Sequence, residues 1–269
     1  MMKANSRLLP PPPKKNRTGA IVGWGLVLAA IIWSFTGMPG LSIKPNALLV
    51  AKSIGHGLLH PDWGYVYTGD GEDLTTAVLQ TIGIAFLGTF ISAIISLPFA
   101  FWAAHTKHKL WLVSRSGKFV LTAVRTFPEI VLALMFIKAV GPGSFAGVLA
   151  IGVHSVGMLA KLFSEAIENL DSTTGESVLA AGGNRLEVTT LASLPQLLPE
   201  FTSNTLYRFE LAIRSASILG MVGAGGIGTP LIFAISTRVW PRVAIILYGI
   251  IIMVTIVDWL SGTIRKRLI

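Results

Sequence analysis

The sequence predicts an all-α integral membrane protein with about six transmembrane helices, and three observations support this fold class. The 269 residues are 52% hydrophobic and only 13% charged, whereas soluble domains carry about 25% charged residues. Most of the apolar residues fall in long runs with few charges, several of them close to the ~20 residues that a helix needs to cross a bilayer. Because lipid satisfies no backbone hydrogen bond, helices are the natural spanning element.

The amino-terminal residues 1–19 are basic and rich in proline, and we expect them to form a disordered cytoplasmic tail. The first span is predicted over about residues 20–37. A cleaved signal peptide is the alternative, but the long basic lead and the absence of a clear small-residue cleavage site favour a retained anchor. Residues 20–269 are therefore predicted to form a single transmembrane domain.

Five further spans follow, predicted over about residues 74–106, 119–140, 144–162, 202–222 and 243–260. The run that begins at Leu74 is longer than a crossing requires, which predicts tilt, a kink near Pro98 or projection beyond the bilayer. The "GPG" sequence at Gly141–Gly143 predicts a tight turn between the third and fourth spans. Residues 39–73 lie outside and contain an amphipathic stretch suited to the outer membrane surface.

The basic residues predict the orientation of these spans. With the amino terminus inside, basic clusters within 3–17, 107–118 and 265–267 all face the cytoplasm. The external segments then hold only Lys44, Lys52, Arg238 and Arg242, beside the acidic Asp62, Asp70, Glu72 and Asp73. This positive-inside pattern places both termini in the cytoplasm. It accounts for most of the net charge of +9 without a nucleic-acid partner.

A glycine-rich stretch, MVGAGGIGTP, has Gly223, Gly225 and Gly228 at the spacing of a dinucleotide-binding fingerprint. That fingerprint needs a preceding strand and an acidic residue roughly 20 positions on, and here the next acidic residue is Asp258. The chain also lacks a P-loop, so any ATP must be bound by another chain. It has no cysteine, no metal-ligand spacing and no nucleophile elbow, which argues against a membrane enzyme.

Residues 163–201 form a cytoplasmic segment far longer than two neighbouring helices need for a connection. The stretch ESVLAAGG predicts a short helix that stops at Gly182 and Gly183, since glycine readily adopts the left-handed conformation that ends helices. The stretch RLEVTTLASL predicts a second helix that ends near Pro195. A helix, a glycine turn and a helix that project from the membrane would suit docking to a partner.

Within this segment, Glu176, Gly182, Leu194 and Pro195 have the spacing of a motif from the permeases of bacterial ABC importers. That motif is Glu-Ala-Ala, three residues, Gly, nine residues, Ile, one residue and Leu-Pro. The spacing is intact, whereas the motif's two alanines and its isoleucine are replaced here by Ser177, Val178 and Ala192. The chain therefore resembles a binding-protein-dependent permease.

Three other stretches, HSVGMLAKLFSEAIE, LYRFELAIRSASILGMVGAGGIG and VDWLSGTIRKRLI, narrow the resemblance. They are similar to the permease subunit of phosphonate-type importers, a group that includes phosphite and hypophosphite systems. The resemblance covers about residues 74–269 and implies a type I ABC importer permease fold. It also implies a second permease subunit, either identical or similar, an ABC ATPase dimer that binds ATP and Mg, and an external substrate-binding protein.

The resemblance further implies that the element from Glu176 to Pro195 is a coupling helix seated in a cleft of the ATPase. Its small residues Ala180, Ala181, Gly182 and Gly183 would allow close approach to the partner's backbone. The glycines Gly223, Gly225, Gly226 and Gly228 fall where the fifth span reaches the outer face. Similar stretches border the external gate in this family, so we expect a hinge or gate here, with a simple tight turn as the alternative.

Charged residues inside the predicted spans mark either structural ion pairs or a path for the cargo. Arg125 and Glu129 are four apart in the third span, and Glu210 and Arg214 repeat this spacing in the fifth, near Arg208. Each pair is expected to neutralise itself. Alternatively, an arginine faces the dimer axis and transiently binds the oxyanion, and Arg214 is the first candidate.

Two other polar residues lie within predicted spans. His154 is expected to form a hydrogen bond between helices rather than to act in catalysis. Asp258 is expected either to reach the dimer interface or to pair with Arg265.

Two other transport functions remain open from the sequence. The chain could be an importer permease for another solute, or an ion-coupled secondary carrier that uses its buried Arg and Glu residues as coupling groups. Residues 39–73 are expected either to lie on the outer membrane surface or to contact the binding protein.

Overall fold

The structure, a computed structural model, describes residues 17–36, 47–105 and 110–268, and the regular elements in these ranges are helical. Most of the predicted tail and parts of the external segment and of the second basic cluster lie outside the described residues. The α-helices are α1 (Arg17–Thr36), α2 (Ala47–Leu59), α3 (Leu74–Ala103), α4 (Trp111–Thr126), α5 (Glu129–Val140), α6 (Ser144–Glu168), α7 (Ser172–Ala180), α8 (Arg185–Glu187), α9 (Leu194–Met221), α10 (Gly228–Ser236) and α11 (Trp240–Leu268). A 3₁₀ turn covers Trp63–Tyr65, and a π-helix covers Val188–Ser193.

The chain divides into two compact units, residues 1–50 and 51–269. The first unit contains α1, whose apolar stretch Ile21–Thr36 carries exposed side chains such as Trp24 and Trp33. This helix lies where the first span is predicted. The second unit contains α3 to α11 and all the candidate site residues, and it is described by itself below.

Three of the described helices, α3, α6 and α11, are long and apolar enough to cross a membrane. A fourth crossing is counted if α4 and α5, which meet at a bend of 77°, form one broken span. The other two expected spans coincide with α1, whose apolar part is short, and with α9, whose second half carries three charged side chains. Helix α3 continues to Ala103, five residues beyond Pro98.

The third span predicted over residues 119–140 is not one helix, because the chain forms two helices there. Phe127 is extended, with φ −70° and ψ 124°, and Pro128 precedes the first residue of α5. A proline disfavours the helical conformation of the residue before it, so helix α4 ends at this dipeptide. The break turns α5 away from the axis of α4.

The predicted end of a loop helix near Pro195 is also wrong. The chain passes from the π-helix directly into α9, and Pro195 lies in the first turn of that helix. Ser193 and Leu194 before it also have helical dihedral angles, so Pro195 does not end the helix. Helix α9 therefore runs for 28 residues, from the segment predicted to be cytoplasmic to the end of the predicted fifth span.

The centre of the second unit is the packing of α3 against α6. Gly88 faces Ile151, and a Cβ atom on this glycine would lie 2.9 Å from the Ile151 Cγ2 atom. Ala85, Ala150 and Ile151 are fully buried in the same core. Ser96 reaches across with its hydroxyl to the carbonyl of Val156, at 3.3 Å. Small residues let the two helix backbones approach closely, as in many membrane bundles.

The variant Gly88→Ala is expected to destabilise the protein by about 1–3 kcal/mol, because the added methyl group overpacks the contact with Ile151. Thermal unfolding of the detergent-solubilised protein measures this effect. Gly83→Ala in the same helix is the matched control, since no atom lies within 4 Å of its added Cβ. Equal melting temperatures for the two variants would contradict close packing of α3 on α6.

Candidate coupling element and translocation path

Helix α7 is closed at both ends by its own sequence. The Asp171 side chain caps the first turn by accepting a hydrogen bond from the Thr173 amide at 2.9 Å, and hydrogen bonding from Thr173 lowers the pKa of the Asp171 carboxyl. At the other end, Gly182 has φ +89°, and the Gly183 amide donates to the carbonyl of Val178 at 3.0 Å. The predicted glycine stop is therefore confirmed.

The chain then reverses into α8 through a capping box. The Glu187 amide donates to the Asn184 side chain at 3.0 Å, and the Asn184 amide donates to the Glu187 carboxylate at 2.8 Å. This reciprocal pair satisfies the first amide groups of the second helix. A Cβ atom on Gly175 would lie 3.2 Å from the Val188 side chain, so α7 packs against the π-helix. The two form a short helical hairpin, residues 171–193, which we call the coupling element.

The tip of the coupling element is exposed and partly apolar. None of the α7 residues is buried, and Leu179, Leu186 and Leu191 are 51%, 76% and 66% exposed. Ala180, Ala181 and Gly182 are exposed beside them, and Gly183 is half-buried. An exposed apolar surface with small residues at its edge is typical of a protein docking site.

The root of the coupling element is fixed in the bundle. Phe163 of α6 stacks on Phe201 of α9 with ring centroids 4.3 Å apart. Leu159 and Leu197 are buried in the same cluster, and Ala192 of the π-helix is also buried. The two segments of chain that enter and leave the element are thus held together at its base.

A buried arginine on α9 connects three helices. Arg208 is 3% exposed; its Nε donates to the Ser155 hydroxyl at 2.7 Å, and its guanidinium pairs with Glu129 at 3.0 Å. The predicted pair between Arg125 and Glu129 is therefore wrong. The break at Phe127–Pro128 puts these two residues on different helices, so their spacing of four no longer places them on one face.

A second charge network lies further along α9. The predicted pair between Glu210 and Arg214 is confirmed at 3.0 Å. Arg214 also pairs with Asp258 at 2.6 Å, and Arg265 pairs with Glu210 at 2.8 Å. Asp258 thus pairs with Arg214 rather than with Arg265. The network joins α9 to α11, and two carboxylates balance two guanidinium groups.

The side chains of the two arginines of α9 differ in solvent exposure. Arg208 is enclosed, whereas the Arg214 side chain is 45% exposed. Arg208 has its charge and one further donor satisfied by protein groups, and Arg214 presents its guanidinium at the protein surface. Of the two, only Arg214 can meet a passing anion without a rearrangement of the core.

His154 lies on α6 beside the helix break. Its Nδ1 atom is 3.2 Å from the carbonyl oxygen of Phe127. His154 therefore forms a hydrogen bond to another part of the bundle as predicted, but its partner lies in the break between α4 and α5 rather than in a helix. Phe127 is the extended residue between α4 and α5, so the bond supports the backbone where the span is interrupted.

The glycine segment, residues 222–228, makes a tight reversal between α9 and α10. Gly223, Gly225 and Gly226 have φ values of +99°, +79° and +78°, which side chains rarely tolerate. A Cβ atom on Gly225 would lie 2.8 Å from the Ser144 amide nitrogen. The preceding element is a helix, as expected for a chain without the dinucleotide site, and the glycines serve backbone geometry.

A cavity of about 830 Å³ lies beside the glycine segment. It is lined by glycines of this segment and by polar groups that include Gln80, Thr76, Thr229 and Arg242. Asp73 caps α3 at its wall, and hydrogen bonds from Thr76 lower the pKa of Asp73 to about 2. The sequence singled out neither Gln80 nor helix α10, because an isolated glutamine and a nine-residue apolar stretch carry no motif.

The chain is similar to known transport proteins. Residues 96–269 match the family described as the inner membrane component of binding-protein-dependent transport systems. The chain is 41% identical over 245 residues to the phosphite transport system permease protein PtxC of Stutzerimonas stutzeri, which covers 91% of this chain and 86% of that protein. It is 36% identical over 199 residues to the phosphate-import permease protein PhnE of Mycolicibacterium smegmatis, which covers 74% of this chain and 37% of that protein.

The fold is similar to that of a solved structure. A chain of the MetNI methionine ABC transporter in an inward-facing conformation superposes with a TM-score of 0.65 at 17% identity. The superposition covers 76% of this chain and the whole of that chain. The helical architecture is therefore that of an ABC importer permease.

Removal of Glu129 is expected to destabilise the protein by about 3–5 kcal/mol, because it leaves the Arg208 guanidinium buried without its counter-charge. The variant is Glu129→Ala, and the measurement is thermal unfolding in detergent. The matched control is Glu165→Ala, whose partner Lys161 lies 3.6 Å away at an exposed position and contributes at most about 1 kcal/mol. A Glu129→Ala protein as stable as the control would contradict a structural role for the buried pair.

Proposed function

The chain belongs to the family of inner membrane components of binding-protein-dependent transport systems, and we propose that it carries phosphonate or a related phosphorus oxyanion, such as phosphite or hypophosphite, into the cell. The chain is the transport subunit of an ABC importer. The observation that supports the proposed cargo is the 41% identity, over 91% of the chain, to a permease named for phosphite transport. The second relative is named for the import of phosphate, and phosphate is also a tetrahedral phosphorus oxyanion.

The importer requires an ATPase and an external binding protein as separate chains. In the proposed assembly two identical copies of this chain form the membrane passage, and an ABC ATPase dimer with ATP and Mg docks on the cytoplasmic side. The external protein selects the anion, so the permease itself needs no tight site. The basic clusters near both ends of the chain support an orientation with both termini in the cytoplasm.

The coupling element is the proposed contact with the ATPase. Its exposed leucines and small residues Ala180 to Gly183 support a docked partner, and Glu176 is exposed on α7. Leu194 and Pro195 form the start of α9 and connect the element to the bundle. Because Phe163 and Phe201 clamp the root, a displacement of the tip passes to α6 and α9.

The translocation path is proposed to pass Arg214 rather than Arg208. The partial exposure of the Arg214 side chain and the two carboxylates that hold it support a weak, replaceable contact with an oxyanion. Arg208 and Glu129 then have a structural role and do not contact the cargo. The glycine segment is proposed as the hinge or gate at the outer end, where its positive φ angles allow a change of path that other residues would resist.

The whole proposal is tested by transport in a defined system. The chain is co-expressed with candidate ATPase and binding-protein partners, purified and reconstituted in liposomes, and uptake of phosphonate, phosphite, hypophosphite and phosphate is measured with and without ATP. Uptake that depends on ATP and on both partners supports the proposal and ranks the anions. Uptake driven by an ion gradient alone would instead indicate a secondary carrier, and ATP-dependent uptake of only an unrelated solute would refute the proposed cargo.

The variant Gly182→Arg is expected to abolish ATP-driven uptake, because a bulky side chain and a lost positive-φ turn disrupt the tip that meets the ATPase. Membrane insertion is expected to be retained. Co-purification of the ATPase and ATP-driven uptake are the measurements. Gly141→Arg is the matched control, with φ +93° and open space around its Cβ on the opposite side of the predicted bilayer. Normal uptake by Gly182→Arg would contradict the coupling role.

The variant Arg214→Gln is expected to lower uptake at least tenfold, roughly the factor for loss of one charged hydrogen bond, while assembly with the ATPase is unchanged. Arg214→Lys retains the charge and is expected to retain part of the uptake. Uptake and co-purification are measured together for both variants. If Arg214→Gln instead prevents folding, its role is that of a structural ion pair; if uptake is normal, the path does not depend on this residue.

A further inference from the structure

The glycine segment is fastened to α3 by two side chains that adjoin in the sequence. The Gly226 amide donates to the Gln80 side-chain oxygen at 3.1 Å, and the Ile227 amide donates to the Thr81 hydroxyl at 2.8 Å. These are consecutive amide groups of the segment, held by consecutive residues of one helix. The amides of Val222, Gly223 and Ala224 donate to carbonyls at the end of α9, so Gln80 and Thr81 hold the part of the segment that follows.

Each side chain of this pair is itself anchored. The Thr81 hydroxyl is buried and donates to the carbonyl of Ala77 at 2.7 Å while it accepts from Ile227. The Gln80 side-chain amide donates to the Ser144 hydroxyl at 2.5 Å, where α6 begins. The pair therefore joins three parts of the fold: the start of α3, the start of α6 and the glycine segment.

The close packing around these bonds gives them a defined position. A Cβ atom on Gly226 would lie 2.8 Å from the Thr81 hydroxyl oxygen, so only glycine allows the segment to reach this acceptor. The Gly143 amide adds a backbone bond to the carbonyl of Gly223 at 2.9 Å. Gln80 and glycines of the segment line the cavity of about 830 Å³. Movement of the segment away from α3 must break the bonds that the Gly226 and Ile227 amides donate to Gln80 and Thr81.

We propose that Gln80 and Thr81 are positioning residues that form a latch, which holds the glycine segment in place and releases it when the outer end of the permease opens. This inference rests on the proposed function of the segment as a hinge or gate. Two neutral hydrogen bonds suit such a role, because each contributes modestly and both can be replaced by bonds to water when the segment moves. A charged pair at this position would cost more to separate.

The latch is tested by thiol labelling, for which the chain is a ready background because it contains no cysteine. The reporter is Ile232→Cys, a half-buried position that lines the cavity on α10 and takes no part in the latch. The purified permease is reconstituted in liposomes, and the rate of reaction with a membrane-impermeant maleimide is measured. Thr81→Val is expected to speed labelling at least about fivefold, the factor for loss of one buried hydrogen bond.

The matched control is Thr89→Val in the same helix. Its hydroxyl is buried and has no hydrogen-bond partner among the described residues, so the substitution removes a similar group without touching the segment. Two substitutions of Gln80 provide a second, independent comparison. Gln80→Leu removes the acceptor for Gly226 and is expected to speed labelling, whereas Gln80→Glu keeps an acceptor oxygen and is expected to label at close to the parent rate.

The outcomes separate the latch from the proposed transport function. Labelling of Thr81→Val and Gln80→Leu at the rate of the Thr89→Val control would overturn the latch, whether or not the protein imports anions. Faster labelling supports the latch even if ATP-driven uptake fails in the parent, because the rate needs neither ATPase nor cargo. Should Thr81→Val fail to fold, the comparison of Gln80→Leu with Gln80→Glu decides the question.

Discussion

The buried guanidinium of Arg208 is the interaction on which the arrangement of the membrane helices depends. It joins Ser155 of α6 and Glu129 at the start of α5 to the middle of α9. A charge at this depth is stable only with a counter-charge, so the first residue of α5 must lie against α9. The break at Phe127–Pro128 makes this possible, because it lets α5 leave the direction of α4. The ion pair between Glu129 and Arg208 therefore depends on the helix break.

The local features of the fold were accessible from the sequence. The glycine stop after α7 and the pair between Glu210 and Arg214 each involve residues within one helical turn or one turn motif, where spacing alone determines geometry. Apolar length likewise indicated α3, α6 and α11. These signals depend on short stretches of chain and not on how helices pack.

The long-range features were not accessible in this way. Glu129 and Arg208 are 79 residues apart, and nothing in their spacing connects them. The spacing of Arg125 and Glu129 suggested a pair only on the assumption of a continuous helix. Pro195 predicted the end of a helix, yet the helical backbone runs through Ser193 and Leu194 into α9. In each case the tertiary context, rather than the local residue preference, decided the outcome.

The π-helix at the end of the coupling element affects the direction in which the tip of the element points relative to α9. Val188–Ser193 holds its turns wider than an α-helix, so it fits more residues into the same rise. Each residue of an α-helix advances the direction of side chains by about 100°. Because the wider turns accommodate the extra residue, deletion of one residue from this stretch, with conversion to α-helical turns, would leave the direction of the tip relative to α9 nearly unchanged. Deletion of a residue from the α-helical turns on either side would instead rotate the tip by about 100°. The six π-helical positions thus tolerate a change of length that the neighbouring α-helical turns do not.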